Sequence, residues 1–180
     1  MKIIIFTSVL IILKKHKKMN KNYEVRYASS PQDVKSYDTD RLRKEFLIDN
    51  LMEPDTLPLV YSHYDRFITG SAVPVKGSIT LESIDALKAD YFLARRELGI
   101  INIGGSGLVS VDGTVYELDN REALYVGKGN KEVIFSSKDA NAPAKFYLNS
   151  TPAHKEFPTK KIGIKDVEVV ELGAPETANA

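Results

Sequence analysis

The sequence predicts a mainly β domain, a sandwich or barrel with a few short helices, and three observations predict it. From residue 100 onward, runs rich in Val, Ile, Leu, Tyr and Phe recur at short spacing: Leu108–Val111, Thr114–Leu118, Ala123–Val126, Glu132–Phe135 and Ala144–Leu148. Between them stand Asp112-Gly113 and Gly127-Lys128-Gly129-Asn130, residues suited to the positive backbone angles of tight turns. Finally, 180 residues at 43% hydrophobic and 27% charged content suit one ordinary domain with a real core and are too few for two full ones.

In chain order, YEVRYA after Asn22 reads as a short strand. Thr39 has the character of a helix N-cap, with Leu42, Phe46, Leu47 and Leu51 on one face of a helix near 40–51 that Pro54 and Pro58 close. LVYSHYDRFITGSAVP has strand-like aromatic and β-branched content and ends in a turn region from Gly70 to Pro74. A brief helix fits Ser83–Asp90, and YFLARREL suits helix or strand equally by pattern. Leu108–Val111 then meets Thr114–Leu118 across Asp112-Gly113, and Ala123–Val126, its turn and Glu132–Phe135 repeat the plan. The final APETANA has the small, polar composition of a linker.

Residues 1–18 stand apart. Their apolar run from Ile3 to Leu13 is shorter than the about 20 residues a membrane-spanning helix needs. KKHKK follows it where a secretory signal would carry a small-residue cleavage site. We read this segment as a start-site artefact ahead of Met19, with a membrane-surface anchor or leader as the alternative. Five of the 25 basic residues and none of the 24 acidic ones lie there, so the part from Met19 onward is net −4 with 20 basic and 24 acidic residues. A mildly acidic body with scattered positive charge argues against nucleic acid as a partner. The absence of cysteine excludes disulfides, thiol catalysis and thiolate metal sites, and fits a reducing cytoplasm as well as other compartments.

Candidate chemistry is concentrated in a few polar clusters. Arg95-Arg96 suits a carboxylate, because guanidinium grips one through two parallel hydrogen bonds; a structural ion pair with Glu97 is the competing reading. In Tyr61-Ser62-His63-Tyr64-Asp65-Arg66, a strand would put His63 and Asp65 on one face, where the carboxylate could orient the imidazole, or the acid and Arg66 form a structural network. His154 lies in a proline-bounded loop, suited to a pocket or a subunit contact. Gly104-Gly105-Ser106-Gly107 lacks the ending of a phosphate loop and reads as a strand-to-strand connection. A metal of the zinc type needs three or four converging ligands; His16, His63 and His154 are too far apart in sequence to pair, so no metal ligand is assigned.

Four blocks, YDTDRLRKEFLI, YSHYDRFITGSAVP, FLARRELGIINIGGSG and APAKFYLNSTPAHKEFPTKKI, in this order resemble the amino-terminal half of the 5-keto-4-deoxyuronate isomerases. The rhythm GLVSVDG, YEL, ALYVGKG, EVIF is likewise similar to that of a cupin jelly roll. The resemblance implies a cupin-like amino-terminal domain over 19–173 and a linker, 174–180, toward a carboxyl-terminal half that bears the metal ligands. It implies a cytoplasmic, homo-oligomeric ketol-isomerase that turns 5-dehydro-4-deoxy-D-glucuronate into 3-deoxy-D-glycero-2,5-hexodiulosonate in pectin and uronate catabolism, with zinc as cofactor. Lys131 and Glu132 stand where a cupin usually places its histidine pair. Under that resemblance we expect His63, Asp65, Glu97 and His154 to move protons, and Arg66, Arg95, Arg96 and Lys145 to bind a small deoxy keto-uronate. A non-catalytic assembly domain and a sugar-acid-binding module are the alternatives.

Overall fold

A computed structural model describes residues 22–168, so the leader and the linker lie outside the described residues. Eleven strands form two sheets: β1 (Tyr23–Arg26), β2 (Leu59–Ser62), β3 (Ile68–Ala72), β4 (Ile79–Thr80), β5 (Arg96–Asn102), β6 (Gly107–Val111), β7 (Thr114–Leu118), β8 (Ala123–Val126), β9 (Val133–Ser137), β10 (Phe146–Pro152) and β11 (Lys160–Ile162). One sheet runs β1-β2-β3-β10-β5-β8-β11 and the other β4-β9-β6-β7. Within them, β3-β10-β5-β8 and β4-β9-β6-β7 give the eight-stranded double Greek key of a jelly roll, the architecture of cupins. β1 and β2 extend one edge of the larger sheet and β11 the other; β1 runs parallel to β2.

Period-2 alternation explains why these segments pair as they do. Leu98 and Ile100 of β5, Val109 and Val111 of β6, Leu124 and Val126 of β8, Val133 and Phe135 of β9, and Phe146 and Leu148 of β10 are all buried in one core cluster, the inward set of each strand. Each such side chain contributes roughly 1.5–3 kcal/mol on burial. Phe135 and Phe146 meet across the sandwich with ring centroids 5.4 Å apart. The barrel is therefore packed solid between its two mouths.

The Asp112-Gly113 hairpin forms as expected, with both residues at positive φ (46° and 86°). Several expectations change. The 40–51 helix is shorter, running Thr39–Phe46 (α2, after a short α1 at Pro31–Val34), and Asp38 caps it by accepting from the Arg41 amide at 2.8 Å. It stops because Leu47 is already extended, seven residues before Pro54, the first proline that could act. Its apolar face is not core: Leu42 and Phe46 are 38% and 47% exposed. LVYSHYDRFITGSAVP is two strands around a turn. Gly70–Ala72 continue β3, where a Cβ on Gly70 would lie 2.6 Å from the Pro58 carbonyl oxygen, so the glycine serves close backbone approach. The segment 83–95 supplies two short 3-10 turns, Asp85–Leu87 and Phe92–Ala94, and β5 then starts at Arg96. Finally, β8 and β9 are no hairpin: the Gly127–Asn130 turn carries the chain from one sheet to the other.

Candidate functional site

β5 alternates strictly, which sends Arg96, Leu98, Ile100 and Asn102 into the sandwich and leaves Glu97 on the outer face. Arg96 thus enters the barrel at one mouth, only 4% exposed. Its Nη2 donates to the carbonyl oxygens of Arg66 (2.6 Å) and Ser150 (2.8 Å), and its Nε to Ser150 Oγ (3.1 Å). Ser150 Oγ in turn donates to the Glu97 carbonyl oxygen at 2.5 Å. These bonds tie the end of β10 to the β2–β3 turn. They leave Nη1 without a protein partner among the described residues.

Around this guanidinium lies a cleft of about 240 Å³, lined by Tyr61, Arg66, Ala86, Leu87, Ala89, Phe92, Arg95, Arg96 and Pro152. The β2–β3 turn supplies Arg66, and here the backbone is bent hard. Asp65 and Arg66 are both left-handed (φ 51° and 55°), a conformation costly for residues with a side chain and often found at functional sites. Arg95 enters from the end of the second 3-10 turn, its Nη2 donating to the Leu87 carbonyl oxygen at 2.5 Å. Three guanidinium groups therefore border one cleft whose other walls are apolar and aromatic. The ion pairs Arg26–Glu24, Lys138–Glu117 and Lys161–Glu122 lie elsewhere, and Lys88–Asp85 flanks the cleft without involving its arginine side chains.

Burial pushes the Arg96 guanidinium down from its ordinary value to about 10; Tyr61 opposes the shift and Arg66 adds to it. A base whose pKa falls on folding opposes the fold while both states are protonated, and that cost fades only as pH rises through about 10. At neutral pH, Arg96 is a buried cation held by neutral oxygens, an arrangement that an anion in the cleft would stabilise.

The structure gathers some of the candidate residues and separates others. Arg66, Arg95 and Arg96 converge. The expected ion pair of Arg95-Arg96 with Glu97 does not form, since Glu97 points to the opposite face of β5 and accepts from Tyr125 Oη at 2.8 Å. Burial first, and Glu97 second, push the Tyr125 phenol up to about 12. His63 and Asp65 do not share a strand face, because both sit in the β2–β3 turn. The His63 ring stacks on Tyr27 at 4.5 Å and meets the edge of Tyr61 at 5.3 Å, so an aromatic row leads from the surface to the cleft wall. Asp65 borders a different depression, between α2 and the β2–β3 sheet face. His154 is exposed two residues beyond the cleft-lining Pro152. Lys145 precedes β10 at its other end, roughly 23 Å away by strand rise.

Sequence reading missed Tyr61, Phe92 and Ser150 as parts of this mouth. Ser150 left a signal, being the polar residue in the inward series Phe146, Leu148, Ser150. Missed as well was Asn102, which is fully buried at the opposite mouth and forms four hydrogen bonds. Among the described residues no three His, Cys, Asp or Glu side chains converge to hold a metal ion. The side chains of the described residues do not form a zinc site. No helix among the described residues is long and apolar enough to cross a membrane.

Fold and site together define a jelly-roll domain with an arginine-bordered cleft at one mouth. Residues 53–178 match the KduI/IolB family, and the chain belongs to that family. A protein of Formosa agariphila named 4-deoxy-L-threo-5-hexosulose-uronate ketol-isomerase is 64% identical over 161 residues, covering 89% of this chain and 58% of its own length. A protein of the same name from Lachnoclostridium phytofermentans is 56% identical over 156 residues, covering 87% and 56% respectively. From Bacteroides thetaiotaomicron, a 4-deoxy-L-threo-5-hexosulose-uronate ketol-isomerase 1 is 52% identical over 161 residues, covering 89% and 58%. The chain thus spans little more than half the length of these relatives. Among solved structures, the cupin domain of Schizosaccharomyces pombe Cnp3 is similar at a TM-score of 0.41 and 12% identity, over 54% of this chain and 64% of that one.

Proposed function

We propose that this chain is the amino-terminal domain of a 4-deoxy-L-threo-5-hexosulose-uronate ketol-isomerase. The whole enzyme would convert 5-dehydro-4-deoxy-D-glucuronate to 3-deoxy-D-glycero-2,5-hexodiulosonate in uronate catabolism, as a cytoplasmic homo-oligomer. The observation that carries this reading is the 64% identity, over 161 residues, to a protein of that name. The arginine-bordered cleft supports it, since a uronate presents a carboxylate. Moving a carbonyl between adjacent carbons requires a group that takes a proton from one carbon and returns one to its neighbour. Of the four groups considered, Glu97 and Asp65 border other depressions and His63 is stacked on Tyr27. His154, closest in chain to the cleft-lining Pro152, is the first to test for that role. A zinc ion in the whole enzyme would need ligands outside the described residues of this chain, and would supply Lewis-acid chemistry there.

The test is a fusion of this chain to the remaining part of the Formosa agariphila relative, assayed for interconversion of the two keto acids. Turnover that falls by about tenfold or more on His154→Ala supports the assignment, on the scale of general acid–base effects. A folded, zinc-loaded fusion without turnover would refute the isomerase reading.

A further inference from the structure

We infer that the outer face of the larger sheet, where β10, β5, β8 and β11 lie side by side, is the docking surface for the remaining, carboxyl-terminal part of the whole enzyme, whose apolar side chain fills a groove at Tyr125 and Phe157. This rests on the reading of the chain as an amino-terminal domain and adds where the rest of the enzyme seats. Strand alternation builds the face. The residues that do not enter the core form two registered rows across four strands: Tyr147, Ile101, Ala123 and Ile162 in one, Asn149, Gly99, Tyr125 and Lys160 in the other. Lys160 is the one charged residue in these rows, whereas a sheet face turned to water alternates polar groups outward. Gly99 keeps the face flat, since a Cβ there would lie 2.6 Å from Asn149 Oδ1. Every residue of the two rows is at least partly accessible, and Ile101 is 38% exposed. Contiguous apolar surface of this kind marks an interaction site.

Two observations select the occupant. The first is the groove, about 490 Å³, whose wall includes Tyr125, Phe157, Pro158 and Ile162; Phe157 is 46% exposed. Glu97, also on that wall, accepts from Tyr125 Oη at 2.8 Å. These two polar groups serve each other, so the groove offers apolar surface to a protein side chain, as at the centre of a docking patch. The second is the course of the chain. β11 is an edge of this sheet and Ile162 its last residue. The described chain ends at Glu168, just after Ile164 and Val167, 51% and 50% exposed. Only 58% of the Formosa agariphila relative is covered. In the whole enzyme the following residues therefore set out from the rim of this face and reach it by a short connection.

The experiment compares the 180-residue chain alone with its fusion to the remaining part of the Formosa agariphila relative, by hydroxyl-radical footprinting, sedimentation and thermal melting. Tyr147, Tyr125 and Phe157 should lose most of their labelling in the fusion, while Val115, 59% exposed on the other sheet, labels equally in both. Ile101→Glu should lower the Tm of the fusion by several degrees and restore labelling of the face, because it buries a charge at the interface. It should leave the Tm of the chain alone nearly unchanged, as at other exposed positions. Phe157→Ser should act in the same way through the groove. The inference is overturned by labelling of the face that the fusion does not change, or by both variants lowering the two melts alike. It is equally overturned by labelling already suppressed in the chain alone by a second copy, seen as a dimer in sedimentation. Turnover separates the two readings: an active fusion with a fully labelled face refutes the docking surface alone, and an inactive fusion with a protected face refutes the isomerase reading alone.

Discussion

Asn102→Ala probes the mouth of the barrel opposite the cleft. The Asn102 side chain donates to the carbonyl oxygens of Gly105 (2.8 Å) and Leu118 (2.9 Å) and accepts from the amides of Gly104 and Lys145 (3.1 Å each). It joins the β5–β6 loop to β7 and to the start of β10. Four bonds at about 1 kcal/mol each, with a further penalty for buried backbone groups left unsatisfied, give an expected loss of about 4–6 kcal/mol. For a chain of this length that is a fall in Tm of roughly 10–15 °C. Denaturant unfolding and a thermal melt measure it, and amide exchange should show Gly104 and Lys145 losing protection. Asn102→Asp separates hydrogen bonding from volume. Its carboxylate would face two carbonyl oxygens, so burial and repulsion raise its folded pKa above the unfolded value of about 3.9. A group with a raised folded pKa stabilises below the unfolded pKa and loses that contribution as pH rises through the folded one. The gap to the parent protein must therefore widen toward neutral pH. A Tm drop under about 2 °C for Asn102→Ala, or a pH-independent gap for Asn102→Asp, would refute this account of the mouth.

Further expectations follow from single contacts. A Cβ on Gly105 would lie 1.9 Å from the Ala142 carbonyl oxygen, whereas Gly77 has nothing within 4 Å; Gly105→Ala should cost about 1–3 kcal/mol or more in a denaturant titration, and Gly77→Ala should stay within about 0.5 kcal/mol. Arg96→Lys keeps the charge but loses the fork that spans Ser150 and the Arg66 carbonyl, so it should lower both Tm and carboxylate affinity, the former by several degrees. Tyr125, pushed up from the usual 10.0 to about 12, should give a late step in an ultraviolet pH titration, and Glu97→Gln should bring its midpoint down. Because its folded pKa is the higher one, its contribution to stability is complete below the usual 10.0 and is lost as pH climbs toward 12. Asp55 accepts from the amides of Lys76 and Val75, which hold its carboxyl below the usual 3.8. Its contribution is present above that value and lost as pH falls through the lower folded one, which a carboxyl-observed NMR titration would show.

What was legible in the sequence was whatever depends on local repetition. Alternation in LVSV and TVYEL around Asp112-Gly113 places β6 and β7 because a hairpin needs only its own residues. The 40–51 helix was over-extended since periodicity at Leu47 and Leu51 says nothing about the backbone's turn to extended geometry at Leu47. The β8–β9 turn resembles a hairpin loop locally, and only the packing of two sheets decides that it crosses between them. The arginines were visible as residue types. Their convergence was not, because Arg66 and Arg96 are 30 residues apart and meet only once β3, β10 and β5 are paired.

The two ends of β5 show why chemistry belongs at one mouth of this barrel and not at its centre. The interior between the sheets is filled by aliphatic and aromatic side chains, so polar groups enter it only where strands begin and end. β5 carries Arg96 inward at its start and Asn102 inward at its finish, roughly 20 Å apart along the strand. Both are buried and polar, but their hydrogen-bonding states differ. Asn102 donates twice and accepts twice, which uses the full capacity a side-chain amide commonly realises and leaves nothing for a ligand. Arg96 makes its hydrogen bonds through Nε and Nη2 to neutral oxygens, beside two more guanidiniums and with no carboxylate among these partners. A buried amide with its bonds made fixes structure, whereas a buried cation held only by neutral oxygens is stabilised further when an anion approaches. Exchange of character between the two ends, with Asn102 substitutions altering acid binding and Arg66 or Arg95 substitutions altering only stability, would contradict that division.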